Sequence, residues 1–212
     1  IGSKKLLGLS FRPIDNDEKI EVVPPLLRQQ VKNIVPKTGE RWLAYLTHFR
    51  LSEDIMAWSN ANPDVQLDCF WDHPIHKKEY SYSSSLTFHP INAQKYLDKM
   101  TQCAGLISTA GFESVAEAMY LGKPAMMVPV PNHIEQMINA HDGVLSGAGV
   151  RARSFDLNIF KDYLPLHKPV QDTYQHWVSQ ANFGYQLTDL IRKPVASPTF
   201  SPRNEGGLST SW

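Results

Sequence analysis

The stretch that most constrains how this chain can fold runs from residue 104 to residue 140. It begins with a short apolar run at Leu106 and Ile107, which is typical of a buried parallel strand. A turn of small residues, an amphipathic helical pattern, a second apolar run and a second helical pattern follow in that order. These four parts are residues 108–111, 113–119, 125–130 and 134–140. The order predicts a βαβ unit, and the expected fold class is therefore α/β, with a doubly wound, Rossmann-like parallel sheet.

The turn at 108–111 is also the place where the sequence indicates chemistry. The first N–H groups of a helix have no partner within the helix, and the helix dipole is positive there, so such a turn can bind an anion. Gly111 would let the backbone approach a phosphate closely, and Ser114 could add a hydroxyl. Glu117 falls on the same helix face as Ser114, where it could accept hydrogen bonds from sugar hydroxyls. Spacing alone leaves two interpretations open: a nucleotide diphosphate site, or an ordinary turn with solvated glutamates.

Composition excludes several classes of protein. A chain of 212 residues can bury one core with part of a second. Lysine plus arginine and aspartate plus glutamate both number 21, so no net basic charge favours nucleic-acid binding. Cys69 and Cys103 form no C-x-x-C pair, which predicts reduced core thiols in a cytoplasmic protein. No apolar run has the length of a transmembrane helix, and no signal peptide is visible.

The sequence also gives little evidence for a metal site or a dinucleotide-binding site. His73 and His76 are close together but lack a third and fourth ligand nearby, so we expect surface histidines and no metal site. No G-x-G-x-x-G pattern follows a strand, which argues against a Rossmann oxidoreductase.

The stretch 104–140 resembles the donor-binding segment of the GT-B glycosyltransferases, in particular the peptidoglycan-precursor N-acetylglucosaminyltransferases and related family 1/28-type enzymes. Their pattern is a small-residue turn with Gly, a Ser or Thr three residues on, a Glu three further on, and then G-x-P, V-P and Q-x-x-N-A. This pattern is present in order as Gly111, Ser114, Glu117, Gly122, Pro124, Val128, Pro129, Gln136, Asn139 and Ala140. The resemblance is specific because the positions follow one another within a single block. It implies the C-terminal, donor-binding half of a GT-B fold.

The resemblance also implies the residues of the site. In that family the glycine turn and the Ser or Thr meet the diphosphate, the Glu holds the nucleotide ribose, and the Gln contacts the donor sugar. The nucleobase packs against the loop after the third strand, whose backbone groups meet its edge. The donor-binding residues expected on this basis are Ala110, Gly111, Phe112, Ser114, Glu117, Gln136, Asn139, His89 and Ile91.

The reaction implied is transfer of a sugar from a nucleotide diphosphate sugar, first of all a UDP-sugar, to an unknown acceptor. Helix N–H groups aimed at the leaving diphosphate would stabilise its charge without a metal ion or other cofactor, and no DxD-like pair stands near the turn. The acceptor site and the catalytic base belong to the N-terminal domain in that family. We therefore expect this chain to bind donor without turnover. Any peripheral membrane contact would be made by that other domain.

Domain organisation follows from the same comparison. Residues 1–31 are expected to be the end of an N-terminal domain and a linker, residues 32–194 the nucleotide-sugar-binding domain, and residues 195–212 a disordered tail rich in Ser, Pro and Gly. The chain starts at Ile1 without a methionine, so we expect a piece of a longer protein. Arg28 could face the cleft, but a solvated linker arginine is the favoured interpretation.

The remaining pattern predicts alternating strands and helices. The strands expected outside the central block are 42–46, 65–70, 86–88 and 150–155, and the helices are 52–61, 93–103, 158–163 and 173–192. Ser52 and Asn92 are the candidate N-caps, residues 71–85 form a loop, and the helix from Ile134 continues to about Leu145.

Two further functions remain open at this point. One is a non-catalytic nucleotide-binding subunit that works with a separate partner chain. The other is a sugar-nucleotide epimerase of the same architecture, which would need an acid/base pair around the sugar carbon, and the sequence offers no convincing pair.

Overall fold

The structure is a computed structural model that describes residues 6–181. Its strands are β1 (Leu6–Leu9), β2 (Ile20–Val23), β3 (Trp42–Tyr45), β4 (Leu67–Trp71), β5 (Tyr80–Ser81), β6 (Leu86–Pro90), β7 (Gly105–Ser108), β8 (Ala125–Met127) and β9 (Gly149–Arg151). Its helices are α1 (Gln29–Lys32), α2 (Ser52–Ala61), α3 (Ala93–Gln102), α4 (Phe112–Tyr120), α5 (Ile134–Leu145), α6 (Asn158–Tyr163) and α7 (Gln171–Ser179). Short 3₁₀ turns occur at Phe49–Leu51 and Leu164–Leu166.

The order of the main sheet determines where a ligand can bind. Seven strands pair in the order β5-β6-β4-β3-β7-β8-β9. All pairs are parallel except β5 with β6, which is antiparallel. The chain builds outward from β3 through β4 to β6, and then returns to place β7 on the other side of β3. In such sheets ligands bind outside the carboxyl ends of the strands at this reversal, which lies between β3 and β7.

Helices cover both faces of the sheet. Along the strands successive side chains point to opposite faces, so Leu43 and Leu106 join one core while Trp42 and Ile107 join the other. Helices α3, α4, α5 and α7 pack on the first face, and α2 and α6 pack on the second. The predicted doubly wound, Rossmann-like α/β fold is therefore confirmed. The two cysteines are free and buried, as predicted.

The central block has the predicted order of elements. The chain runs β7–α4–β8–α5, and α5 and α6 begin and end at the predicted residues. Asn92 caps α3 as expected, with its side-chain oxygen accepting from the Lys95 N–H at 2.8 Å.

Several predicted boundaries are wrong. The second strand begins at Leu67 rather than at residue 65, because the Val65 N–H closes a turn on the Asn62 carbonyl. The segment 71–85 is not all loop, since it contains β5. Ser52 is the first residue of α2, and Leu51 is its N-cap. The predicted helix 173–192 ends at Ser179, and its part beyond residue 181, like the tail 195–212, lies outside the described residues.

The segment before β3 has a small sheet of its own. Strands β1 and β2 pair in parallel and share no ladder with the seven-stranded sheet. The segment is nevertheless tied to the main body. The Phe11 ring stacks on Phe112 at 4.4 Å, and the Trp177 indole donates to the Ser10 carbonyl at 3.1 Å. In the part of the chain that is described, no helix combines the length and the apolar character that crossing a membrane requires.

Candidate functional site

A cavity of about 740 Å³ opens at the carboxyl edge of the sheet. Its wall includes Tyr45 at the end of β3, Ile91 in the turn after β6, and the first turn of α4 after β7. Arg28 from the linker and Glu135 from the start of α5 complete its rim. The cavity thus lies at the reversal of strand order, and its volume is in the range of small-molecule sites.

The first turn of α4 offers backbone N–H groups to this cavity. Ala110 adopts a left-handed conformation with φ 62°, and Gly111 then caps the helix with φ −63°. The N–H groups of Phe112, Glu113 and Ser114 donate to no other residue of the described chain. With the positive end of the helix dipole behind them, these donors form a site suited to an anion.

The unusual conformation of Ala110 is supported from the side. The Asn139 amide donates to the Ala110 carbonyl at 3.1 Å, and the Ala110 N–H donates to the Ser108 hydroxyl at 3.2 Å. Ala110 itself is fully buried. Its role in the structure is therefore to aim the turn, while the residues after it face the cavity.

Gly111 lines the cavity and leaves open space beside its backbone. A Cβ built at Gly111 would have no atom within 4 Å, whereas a Cβ at Gly105 would lie 2.5 Å from the Phe160 ring. The backbone angles of Gly111 suit any residue. The glycine at 111 is therefore not required by the fold, and its missing side chain leaves room for a ligand.

We expect Gly111→Ala to leave the free energy of unfolding within about 0.5 kcal/mol of the original, because the helix cap keeps its angles. The same substitution should weaken binding of a diphosphate ligand about tenfold, since the methyl group would project into the space beside the N–H groups. Urea denaturation and calorimetric titration with UDP measure the two effects. Gly105→Ala is the control for a glycine that packing requires, and it should lower stability. Unchanged UDP affinity in Gly111→Ala would contradict a ligand at this turn.

Glu117 lies one turn further along α4 and is paired with Arg28. The Arg28 Nε donates to Glu117 Oε1 at 2.6 Å, and its Nη2 donates to Oε2 at 2.7 Å. The Glu117 side chain is only 5% exposed and the Arg28 side chain 41%. Hydrogen bonding with Glu117 raises the pKa of Arg28. The interpretation of Arg28 as a solvated linker residue is therefore wrong: it faces the cavity and neutralises a buried carboxylate.

A second charge network lies behind the base-binding turn that was predicted. Asp68 on β4 is buried and accepts hydrogen bonds from His89 Nε2 at 2.7 Å, Arg41 Nε at 2.7 Å and Lys99 Nζ at 3.1 Å. Burial raises the pKa of Asp68, but these three donors outweigh it and hold that pKa well below its usual range. The other nitrogen of His89 lies 3.2 Å from Glu79 Oε2.

The structure brings together most of the predicted donor-binding residues. Those that line the cavity are Ile91, Gly111, Phe112, Ser114, Glu117 and Asn139. Ala110 lies beneath the turn, as described above. The His89 side chain is 2% exposed and belongs to the Asp68 network, so only backbone groups of that turn can face a base. The Gln136 side chain accepts from the Val130 N–H at 2.8 Å and lies outside the cavity wall.

Asn92, in the turn where the nucleobase was expected, also lines the cavity. The residues of the wall that were not predicted as donor-binding residues are Leu9, Arg28, Tyr45, Ala93, Tyr96, Glu113 and Glu135. The sequence around Glu117 signals a missing partner, because a glutamate among Val115, Ala116, Ala118 and Met119 is expected to be buried and to need a cation. That signal does not identify Arg28 as the cation. Within residues 6–181 no group of three or more His, Cys, Asp or Glu side chains is arranged to hold a metal ion.

Comparison with solved structures gives the same fold. The glycosyltransferase of kitacinnamycin superimposes with a TM-score of 0.59 at 16% identity, covering 82% of this chain and 49% of that one. SnogD, a glycosyltransferase from Streptomyces nogalater, has a TM-score of 0.55 at 14% identity, covering 86% and 56%. MurG of Acinetobacter baumannii has a TM-score of 0.54 at 17% identity, covering 89% and 60%. The chain thus spans about half to three fifths of these proteins.

Sequence comparison assigns the family. No curated protein matches this chain. Residues 3–165, which include the whole cavity wall, match the profile described as glycosyl transferase family 1. The predicted resemblance to one half of a GT-B glycosyltransferase is confirmed by this match and by the fold. The chain belongs to glycosyl transferase family 1.

Proposed function

We propose that this chain is the donor-binding half of a glycosyltransferase and that it binds a UDP-sugar in the cavity at the carboxyl edge of its sheet. The observation that carries the proposal is the first turn of α4, where three free N–H groups face a cavity of about 740 Å³. The solved relatives named as glycosyltransferases share this fold, and the family match covers this turn.

The diphosphate binds at the α4 N-terminus. The N–H groups of residues 112–114 donate to its oxygens, and the Ser114 hydroxyl adds a further donor. Gly111 leaves the space that a phosphate needs beside the backbone. The Arg28 guanidinium supplies a positive charge on the same wall.

The nucleoside lies toward α3 and the sugar toward α5. Glu117 accepts from the ribose hydroxyls, for which each carboxylate oxygen keeps a lone pair beyond its bond to Arg28. The base lies against Ile91 and Asn92. We assign Glu135 and Asn139, which line the cavity from α5, to the hydroxyls of the donor sugar. The Gln136 side chain accepts from the Val130 N–H and so supports the loop before α5.

The chemistry that this arrangement supports is departure of the nucleoside diphosphate without a bound metal ion. Negative charge grows on the diphosphate as the bond to the sugar breaks. Oriented N–H groups and the helix dipole stabilise that charge without having to reorganise. The catalytic base and the acceptor belong to an N-terminal domain in cis, so the chain alone binds donor without turnover.

The organisation of the chain supports a preceding domain. Strands β1 and β2 form a parallel pair separate from the main sheet, and parallel sheets of two strands are rare on their own. We propose residues 1–31 as the end of that domain and the linker, and residues 32–194 as the donor-binding domain. The cytoplasmic location is kept as a prediction.

A nucleotide-binding subunit that acts with a separate chain is the second candidate. Nucleotide binding of this kind would need only the free N–H groups of α4 and the cavity beside them, which are the features described above. A gene that encodes a Rossmann-like domain immediately before Ile1 would exclude it.

Calorimetric titration of the chain with UDP tests the donor site, and GDP and ADP are the comparison nucleotides that carry other bases. We expect selective binding of UDP and about tenfold weaker binding in Glu117→Gln, because a neutral amide is a poorer acceptor for ribose hydroxyls. Glu53→Gln is the matched control, since Glu53 is exposed on α2 and lies outside the cavity wall. Equal affinity of Glu117→Gln and the original chain would contradict the ribose site. Absence of nucleotide binding by both this chain and the two-domain protein would contradict the proposed function.

A further inference from the structure

Tyr96 is a buried tyrosine of α3 that lines the cavity. It contacts Tyr45 edge-on, with ring centroids 5.0 Å apart, and Phe70 edge-on at 5.4 Å. Two such contacts in a packed core leave the ring little freedom to turn. Its hydroxyl therefore has a fixed position in the cavity wall.

The Tyr96 hydroxyl is buried and makes no hydrogen bond of normal length and angle with the described chain. Buried polar groups in folded proteins are nearly always paired, so an unpaired hydroxyl beside a cavity calls for an explanation. The only other tyrosine hydroxyl of this kind in residues 6–181 is that of Tyr174 on α7, which is outside the cavity wall. Tyr174 is thus an internal control for burial without a ligand.

Ser114 is the polar neighbour of the Tyr96 hydroxyl. Tyr96 and Ser114 line the same cavity. Burial raises the pKa of Tyr96, and hydrogen bonding with the Ser114 side chain acts in the opposite direction. A tyrosine hydroxyl is protonated at neutral pH and can therefore donate a hydrogen bond. Ser114 is the third residue of α4 and lines the cavity beside the free N–H groups.

We propose that the Tyr96 hydroxyl donates to the Ser114 oxygen when the donor binds, and that this bond directs the Ser114 O–H toward the diphosphate. Tyr96 is then a positioning residue that acts through Ser114. The inference rests on the proposed function, because it requires a diphosphate at the α4 N-terminus. It accounts for the Tyr96 hydroxyl, which has no hydrogen-bond partner among the described residues, by giving it the Ser114 oxygen as its acceptor.

A double-mutant cycle on the full chain tests the inference, with UDP as the probe. Tyr96→Phe removes one oxygen atom and should weaken UDP binding about fivefold. In the Ser114→Ala background the same change should have no further effect, because the group that Tyr96 positions is gone. The urea midpoint of Tyr96→Phe should stay the same or rise, since an unpaired buried hydroxyl has been removed.

Tyr174→Phe is the matched control, and it should change the urea midpoint in the same direction without changing UDP affinity. Three results would overturn the inference: equal UDP affinity of Tyr96→Phe and the original chain, an equal loss in both Ser114 backgrounds, or a clear fall in the urea midpoint of Tyr96→Phe. Each of these leaves the proposed function standing, because the original chain still binds UDP. If neither the original chain nor the two-domain protein bound UDP, both would be overturned.

Discussion

Replacing Arg28 with methionine is expected to weaken UDP binding about a hundredfold, which is the order of magnitude for losing one charge–charge interaction near a protein surface. Arg28 is the one cation among the described residues that line the cavity, and the same wall carries Glu113, Glu117 and Glu135. Without Arg28 the wall would carry only carboxylates, and a nucleoside diphosphate would be repelled rather than held. The methionine keeps most of the apolar stem, so the change removes mainly the charge.

The same substitution should lower the free energy of unfolding by about 2 kcal/mol. Glu117 is buried and both its oxygens accept from Arg28, so the variant leaves a carboxylate without a cation. The figure is below that for a fully buried pair because the Arg28 side chain is 41% exposed and water partly replaces it.

Combining Arg28→Met with Glu117→Gln separates the two effects. The double variant should recover most of the lost stability, because no buried charge is left unpaired, but it should not recover UDP binding. Arg12→Met is the matched control: Arg12 is 39% exposed and pairs with Asp142 at 3.0 Å, but it does not line this cavity. UDP affinity that returned with stability in the double variant would show that Arg28 acts only through Glu117.

The parts of the fold that the sequence predicts are those determined by local pattern. The block 104–140 combines short apolar runs, a glycine turn and two helical patterns, each of which depends on neighbours within a few residues. Its elements β7, α4, β8 and α5 were therefore all predicted. The N-cap at Asn92 was predicted for the same reason, because its partner is the N–H of Lys95.

The parts that local pattern misses depend on contacts between distant residues. Arg28 and Glu117 are separated by 89 positions, and nothing near Arg28 distinguishes it from a solvated arginine. Strand β5 has only two residues and is defined by its pairing with β6. Two residues are too few to show the alternating apolar pattern from which a strand is predicted. The burial of His89 depends on Asp68, which stands 21 positions earlier on the neighbouring strand.

One signal of that network was present in the sequence. Asp68 stands between Leu67 and Cys69 in an apolar strand, and a carboxylate within a buried strand requires donors from neighbouring elements. The identity of those donors could not be deduced, because Arg41 comes from the segment before β3 and Lys99 from α3. The sequence therefore predicted the turn at residues 108–111 better than the long-range side-chain contacts around the cavity.

Asp68→Asn should lower the free energy of unfolding at about pH 7 by about 3 kcal/mol, because it removes the charge that three buried or half-buried donors share. The folded-state pKa of Asp68 lies below its unfolded value of about 3.9, so the wild-type advantage is complete above that value and is lost as the pH falls toward the folded pKa. The difference between the two proteins should therefore narrow as the pH falls from about 5 to about 3. Urea denaturation across this range measures it, and Asp98→Asn, an exposed position on α3, is the control expected to change stability by less than about 0.5 kcal/mol.

The effect of Asp68→Asn on nucleotide affinity distinguishes a general loss of stability from a local change at the site. His89 is hydrogen-bonded to Asp68 and stands two residues before Ile91. Ile91 lines the cavity on the side proposed for the base. Loosening His89 should therefore weaken binding of UDP while reducing its preference over GDP and ADP, because the turn meets the base and not the diphosphate. The affinities of the variant for UDP, GDP and ADP are measured without urea at about pH 7, where the variant remains folded. An equal loss of affinity for all three nucleotides would show that the Asp68 network does not act on the turn proposed to bind the base. A stability deficit that stayed constant down to about pH 3 would show that the network does not act through the charge of Asp68.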